Sequence, residues 1–308
     1  MKRTINILAV VAILCMLLPA NATAQKKGGK KKKATTTRLV TYPARSSEWN
    51  TDAQLESIDT YDAARINDYQ YTVLPSPWFK GHVLAREANH KTVTLRQVSC
   101  RENDITDDEW WFERNGLTNR VTRIESQPFT EILPRYYINT GGYVVVLIGE
   151  SYGQTNRVVI TDENLKNVYG AYDFSNYEQN GIAHNWDTSQ YINDVMIEGN
   201  IMYVNHSGLS YSDGYDHLTG YISAINLFTN EVLWTSQPKT CNSRMCIEGN
   251  SIICGYGFTD EPDFLYVVDK YSGQRTQKLF VRKAVYTPIV KGRKCYVRTY
   301  SYDYEFTF

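Results

Sequence analysis

The sequence predicts an all-β fold: a β-propeller of six four-stranded blades, within a range of five to seven, closed by an N-terminal strand. Three observations predict it. Apolar residues show no long helical period, a strand–glycine–strand motif recurs at blade spacing, and a second turn motif follows the first in successive units. Of 308 residues the first 24 read as a leader, and the 284 that remain allow six blades at roughly 45 residues each.

The leader comes first. Lys2 and Arg3 give a positive start, Ile5 to Leu18 is a 14-residue apolar run interrupted only by Asn6, and Ala22-Thr23-Ala24 is a small-residue cleavage site. That run is shorter than the ~20 residues needed to cross a bilayer, so the expectation is an exported protein of the periplasm or cell surface. Cys15 follows Leu14, which is not the small residue that precedes a lipidated cysteine, and this departs from a lipid-anchor motif. Residues 25–37 form a basic linker. Its Lys26, Lys27, Lys30, Lys31, Lys32 and Lys33 have no apolar neighbour to bury, which predicts a disordered tether able to touch an anionic surface. Nine of the 33 basic residues precede residue 39, leaving 24 against 33 acidic ones in the body. That balance argues against a nucleic-acid partner.

Residues 38–308 are expected to form a single propeller domain, with 38–130 its least regular part. Arg38 to Tyr42 reads as the strand that completes the last blade, which has room for only three of its own. Asp52 to Ile66 is loosely spaced for a short helix. Tyr69 to Leu74, Thr92 to Val98 and Trp110-Trp111-Phe112 are rich in β-branched and aromatic residues and read as strands, and Asn115-Gly116 reads as a hairpin turn before a strand from Arg120 to Ile124.

The repeats begin near residue 136. Val195 to Val204, Arg244 to Cys254 and Pro288 to Val297 each run apolar strand, glycine turn, apolar strand, and Tyr136 to Ile148 is an earlier copy. The turn glycines Gly199, Gly249 and Gly292 stand 50 and 43 residues apart, a four-stranded blade's length. The second motif runs Ala224-Ile-Asn226-Leu-Phe-Thr229-Asn230-Glu-Val-Leu-Trp234. It returns 43 residues on as Val267-Val-Asp269-Lys-Tyr-Ser272-Gly273, with Gln277 at the tryptophan position, and a worn copy follows Val159. Physically, an Asp or Asn ends a strand by accepting backbone N–H groups, Thr and Gly close the turn, and the next strand carries an aromatic.

Over about residues 130–308 these motifs resemble the pyrroloquinoline-quinone-type repeats of the quinoprotein-like propeller superfamily, whose signature is Ala-x-Asp-x-x-Thr-Gly-x-x-x-Trp. The chain is also similar to the propeller scaffold lipoproteins of outer-membrane assembly. The resemblance implies that Ala224, Asn226, Thr229, Trp234, Asp269 and Gly273 are structural, with Trp234 a wedge against the neighbouring blade. It also raises quinone-dependent dehydrogenation, but no adjacent Cys-Cys pair is present and no calcium or base residues can be matched.

Candidate chemistry lies in the loops between second and third strands. Asp213, Asp216 and His217 sit in one, and Asp260, Glu261 and Asp263 in the next, and both loops are expected on one propeller face. Their oxygens suit calcium, yet neither loop has the Asp-x-Asp-x-Asp-Gly spacing, and His206 and His217 have no partner at metal-ligand spacing. No cofactor is therefore predicted. Five cysteines remain after processing: Cys100, Cys241, Cys246, Cys254 and Cys295; the odd count leaves one unpaired, and a bridge between Cys246 and Cys254 across their turn is conceivable. The reading is a non-catalytic scaffold for a protein or glycan partner. Its rivals are a secreted glycan-active enzyme, which needs two carboxylates at the channel, and a quinone-dependent oxidoreductase.

Overall fold

The repeated apolar runs fold into strands because residues that are branched or aromatic on both faces can be buried from two sides. In the computed structural model, the residues described are 40–42, 91–103, 108–124, 131–174, 191–209, 219–230, 232–258 and 261–308. Two strands, β1 (Val40–Tyr42) and β2 (Arg96–Glu102), precede a helix, α1 (Asp108–Asn115), and the short strand β3 (Val121–Arg123). The first sheet is built on β4 (Leu133–Thr140), β5 (Tyr143–Gly149), β6 (Thr155–Thr161) and β7 (Val168–Asp173). The second holds β8 (Tyr191–Glu198), β9 (Ile201–Ser207), β10 (Tyr221–Asn226) and β11 (Val232–Thr235). The third holds β12 (Cys246–Glu248), β13 (Ser251–Tyr256), β14 (Phe264–Asp269) and β15 (Arg275–Phe280). In the fourth, β16 (Val285–Lys291), β17 (Lys294–Thr299) and β18 (Tyr302–Thr307) are followed by β2.

Each sheet is an antiparallel meander, and successive sheets pack face to face, as propeller blades do. Alternation along the strands makes the core. Met202 and Val204 of β9 pack with Ile138, Val145 and Leu147 of the first sheet, while Ile201 and Tyr203 turn to Ile252 and Cys254 of the third. One residue on, Ile253 faces the fourth sheet with Cys295 and Val297. Each buried Val, Ile or Leu contributes about 1.5–3 kcal/mol, so the interfaces between sheets carry the fold.

Four sheets are present among the described residues, where the length suggested six. The difference arises before residue 131, where the described residues supply single strands and a helix and no complete blade. Trp110, Trp111 and Phe112, expected in a strand, lie in α1, with Trp111 and Phe112 buried and Trp110 exposed. The helix ends where Gly116 turns to a positive φ of 59° and the Leu117 N–H reaches the Phe112 carbonyl at 2.8 Å. Asn115-Gly116 is thus a helix cap and not a hairpin. The expected helix over Asp52 to Ile66, the expected strand over Tyr69 to Leu74, the leader with Cys15, and the linker lysines Lys26 to Lys33 lie outside the described residues.

The last sheet is completed from upstream, as expected, but by a different strand. β2 pairs with β18, Arg96 opposite Thr307 and Glu102 opposite Tyr302, whereas Val40–Tyr42 pairs with β7 at the other edge of the first sheet. Anchoring explains the choice. The Gln277 amide binds both backbone groups of Leu95, each at 2.8 Å, and Ser251 Oγ accepts from the Val93 N–H at 2.8 Å, so the entry to β2 is held between the third and fourth sheets. The conceived Cys246–Cys254 bridge also fails. Cys246 stands opposite Ile253, so Cys254 projects from the other face of the third sheet.

Candidate functional site: one mouth of the propeller axis

The innermost strands β4, β8, β12 and β16 start near one another on one face. Thr155 at the start of β6 bonds the Ile192 carbonyl, the Arg244 N–H bonds the Tyr286 carbonyl at 3.1 Å, and Asp194 of β8 accepts from the Met245 N–H at 2.7 Å. The connection 150–154 lies on this same face, as do the ends of β9 at Ser207 and β13 at Tyr256, because the meander reverses direction at every strand.

The axis is filled by chain that enters from α1. β3 pairs with β4 on its inner side, and Arg120 just before it reaches across to two other blades. Its guanidinium bonds the Asp194 carboxylate, the Val195 carbonyl at 3.2 Å and the Met245 carbonyl at 3.0 Å. Asp194, 0% exposed, also accepts from the Val195 N–H at 3.0 Å and lies 3.9 Å from Arg244 Nη1. Arg244 in turn bonds the Asn193 carbonyl and lies over the Tyr136 ring at 4.9 Å. Burying a carboxylate costs several kcal/mol unless it is paired and hydrogen-bonded, and here both conditions are met.

Around this hub the charge is positive. Arg123 stacks on Tyr152 at 3.7 Å, and Arg135, fully buried, donates to the carbonyls of Glu131, Gly149 and Glu150 at 2.6, 2.9 and 2.7 Å. Burial pushes the Tyr136 hydroxyl up, against the opposing pull of the Arg244, Arg123 and Arg135 charges. Asp194 is the buried carboxylate of the hub, with Arg120 and Arg244 beside it, and the Glu131 charge lies near Arg135.

The predicted loop residues divide. Asp213, Asp216, His217 and Asp260 lie outside the described residues. Glu261 accepts from the Tyr256 hydroxyl at 3.0 Å and faces Lys239 Nζ at 3.7 Å. Asp263 packs its Oδ1 against Gly257, where a Cβ would stand only 1.8 Å away, and burial raises its pKa to about 6. His206 is buried, bonds Ser223 Oγ at 2.9 Å and stacks on Tyr221, and burial lowers its pKa to about 3. Among the described residues no group of three or more His, Cys, Asp or Glu could hold a metal ion, and no helix is long and apolar enough to cross a membrane.

The motif residues lie in turns and between sheets. Asp269 Oδ1 accepts from the N–H groups of Tyr271 and Ser272, both at 2.9 Å, and Asn226 Oδ1 accepts from that of Phe228 at 2.9 Å. Thr229 lies in the turn and Ala224 is fully buried between sheets. Asn230, at φ 59°, does the work of the absent glycine, while Gly273 at φ 72° lies under Trp234, whose Nε1 donates to the Lys270 carbonyl at 3.2 Å. Trp234 is a wedge between the second and third sheets. Gln277, in its place 43 residues on, clamps Leu95 instead.

Sequence reasoning missed Arg120, Asp194 and Arg244. A signal was present, since Asp194 and Arg244 each stand five residues before a turn glycine, Gly199 and Gly249, and so occupy equivalent positions of the repeat.

No protein-family profile and no curated protein sequence matches the chain. Its shape is similar to a chain of a mitotic checkpoint complex, with TM-score 0.37 and 12% identity over 55% of this chain and 46% of that one. It is similar to BamB from Moraxella catarrhalis, with TM-score 0.33 and 11% identity over 59% and 74%. A europium-containing methanol dehydrogenase matches with TM-score 0.32 and 9% identity, the match covering 61% of this chain and 27% of the enzyme. Scores and identities this low carry no weight for function, and the propeller arrangement stands on the sheets themselves.

Proposed function

We propose that the chain is an exported, non-catalytic propeller of the quinoprotein-like repeat type that holds a protein partner on the face bearing the second-to-third-strand loops. One observation carries the reading: the axis, where a propeller enzyme gathers its chemistry, is taken up by β3 and the Arg120–Asp194–Arg244 cluster, whose charges are spent on joining blades. The described loop residues Ser151, Gly208 and Glu261 then mark the rim that a partner meets. Lys26 to Lys33 tether this rim near an anionic surface, and a glycan is the competing ligand.

The test places a photo-crosslinking residue at Ser151, Leu209 or Glu261 on the rim, and at Lys166 or Lys291 on the opposite face, in exporting cells. Discrete protein adducts from the rim positions alone are expected. Equal adducts from both faces, or turnover of a glycan by the purified chain, would overturn the reading.

A further inference from the structure

All five cysteines of the body are thiols in this structure, and four of them stand in two pairs. The faces of β13 sort them. Cys254, buried on the side facing the second sheet, shares a cluster with buried Cys241, and its Sγ donates to the carbonyl of Thr240, the residue before Cys241, at 3.5 Å. Cys241 lies in the same cluster, its own Sγ donating to the Ser243 carbonyl at 3.5 Å. On the other side, Cys246 packs against the cluster that holds Cys295, a buried residue of β17. Cys100 is exposed on β2, with only the Tyr304 hydroxyl beside it.

We propose that these four thiols are the sites of two disulfides, Cys241–Cys254 within the third blade and Cys246–Cys295 between the third and fourth. Each forms by exchange with an external disulfide, glutathione disulfide or the disulfide of a thiol oxidoreductase. One cysteine thiolate attacks it and releases one donor thiol. The second thiolate displaces the other, so two thiol protons are lost and the donor takes up the two electrons. Burial holds the Cys254 thiol well above its ordinary range, and the neighbouring Cys246 together with burial does the same for Cys295, so the folded chain offers little thiolate. The exchange therefore belongs to the folding chain, before the sheets close. The pairing rests on side-chain placement; the export reading supplies only a compartment where the bonds persist.

The test refolds the mature chain in a glutathione redox buffer, blocks thiols with iodoacetamide, and digests without reduction. Cleavage at Arg244 and Glu248 separates the peptides of Cys241, Cys246 and Cys254. One alkyl group, on Cys100, is expected, together with linked peptides 241/254 and 246/295. Reduction should lower Tm by about 6–12 °C per bond, and Cys295→Ser should lower it to that extent in oxidising buffer alone. Five alkylated cysteines, or a 246/254 link, overturn the proposal. Correct links after refolding but none in chain recovered from exporting cells would support the pairing and sink the export reading.

Discussion

Gly273 and Trp234 hold two blades at a fixed distance, and a double-mutant cycle measures how much that contact contributes. A Cβ on Gly273 would fall 2.4 Å from Cε3 of Trp234 and 2.9 Å from Cδ2, at a φ of 72°. The left-handed backbone costs an alanine about 1–2 kcal/mol, and overpacking against the ring adds about 1–3 kcal/mol. Gly273→Ala should therefore destabilise by about 2–5 kcal/mol. Trp234→Ala, which removes a part-buried ring beside Tyr203, should cost about 2–4 kcal/mol. In the double variant the clash is gone and only the backbone cost remains, leaving a coupling of about 1–3 kcal/mol. Urea unfolding of the four mature proteins reads these values. Additivity to within about 0.5 kcal/mol would refute the wedge.

Three further outcomes are expected. Asp194→Ala leaves Arg120 without its counter-charge and the Met245 N–H without its acceptor and should cost about 3–5 kcal/mol in urea unfolding, with Asp194→Asn costing less because it keeps an acceptor. Asp263, whose pKa is raised to about 6, is neutral in the fold at low pH and ionises at a cost as pH rises through 6. Asp263→Asn should accordingly melt higher than the parent at pH 8, with the gap closing by pH 4. His206, at about 3 against an ordinary 6.5, stays neutral when folded, so the unfolded chain binds the extra proton as pH falls from 6.5 to 3. Stability should drop by on the order of 3–5 kcal/mol across that window, and His206→Asn should flatten the slope seen by circular dichroism.

What the sequence made legible was local. The glycine turns at Gly199, Gly249 and Gly292 and the Asx turns of Asn226 and Asp269 each depend on residues a few places apart or on one repeat spacing, while the wedge role of Trp234 was what the family resemblance implied. The strand start at Arg96, the helical setting of Trp111 and the hub did not emerge. They are decided by distant partners: Leu95 is held by a glutamine 182 residues away, and Arg120 finds its carboxylate 74 residues away. A β-rich run such as Trp110-Trp111-Phe112 has no memory of such partners. It became helix because Trp111 and Phe112 could be buried there while the cap at Gly116 closed the end.

The closure by β2 also sets a timetable. Its partner lies about 200 residues downstream, as in the Asn103–Asp303 bond with a sequence separation of 200. At about 5–20 residues per second of synthesis, β2 waits roughly 10–40 s before a strand exists to receive it. During that interval its edge is open and its Cys100 thiol is the first of the five body cysteines to appear, ahead of Cys241, Cys246, Cys254 and Cys295. The nascent chain thus carries a sticky segment and a reactive sulfur through most of its own production, which favours delivery to a holding chaperone over piecemeal folding blade by blade.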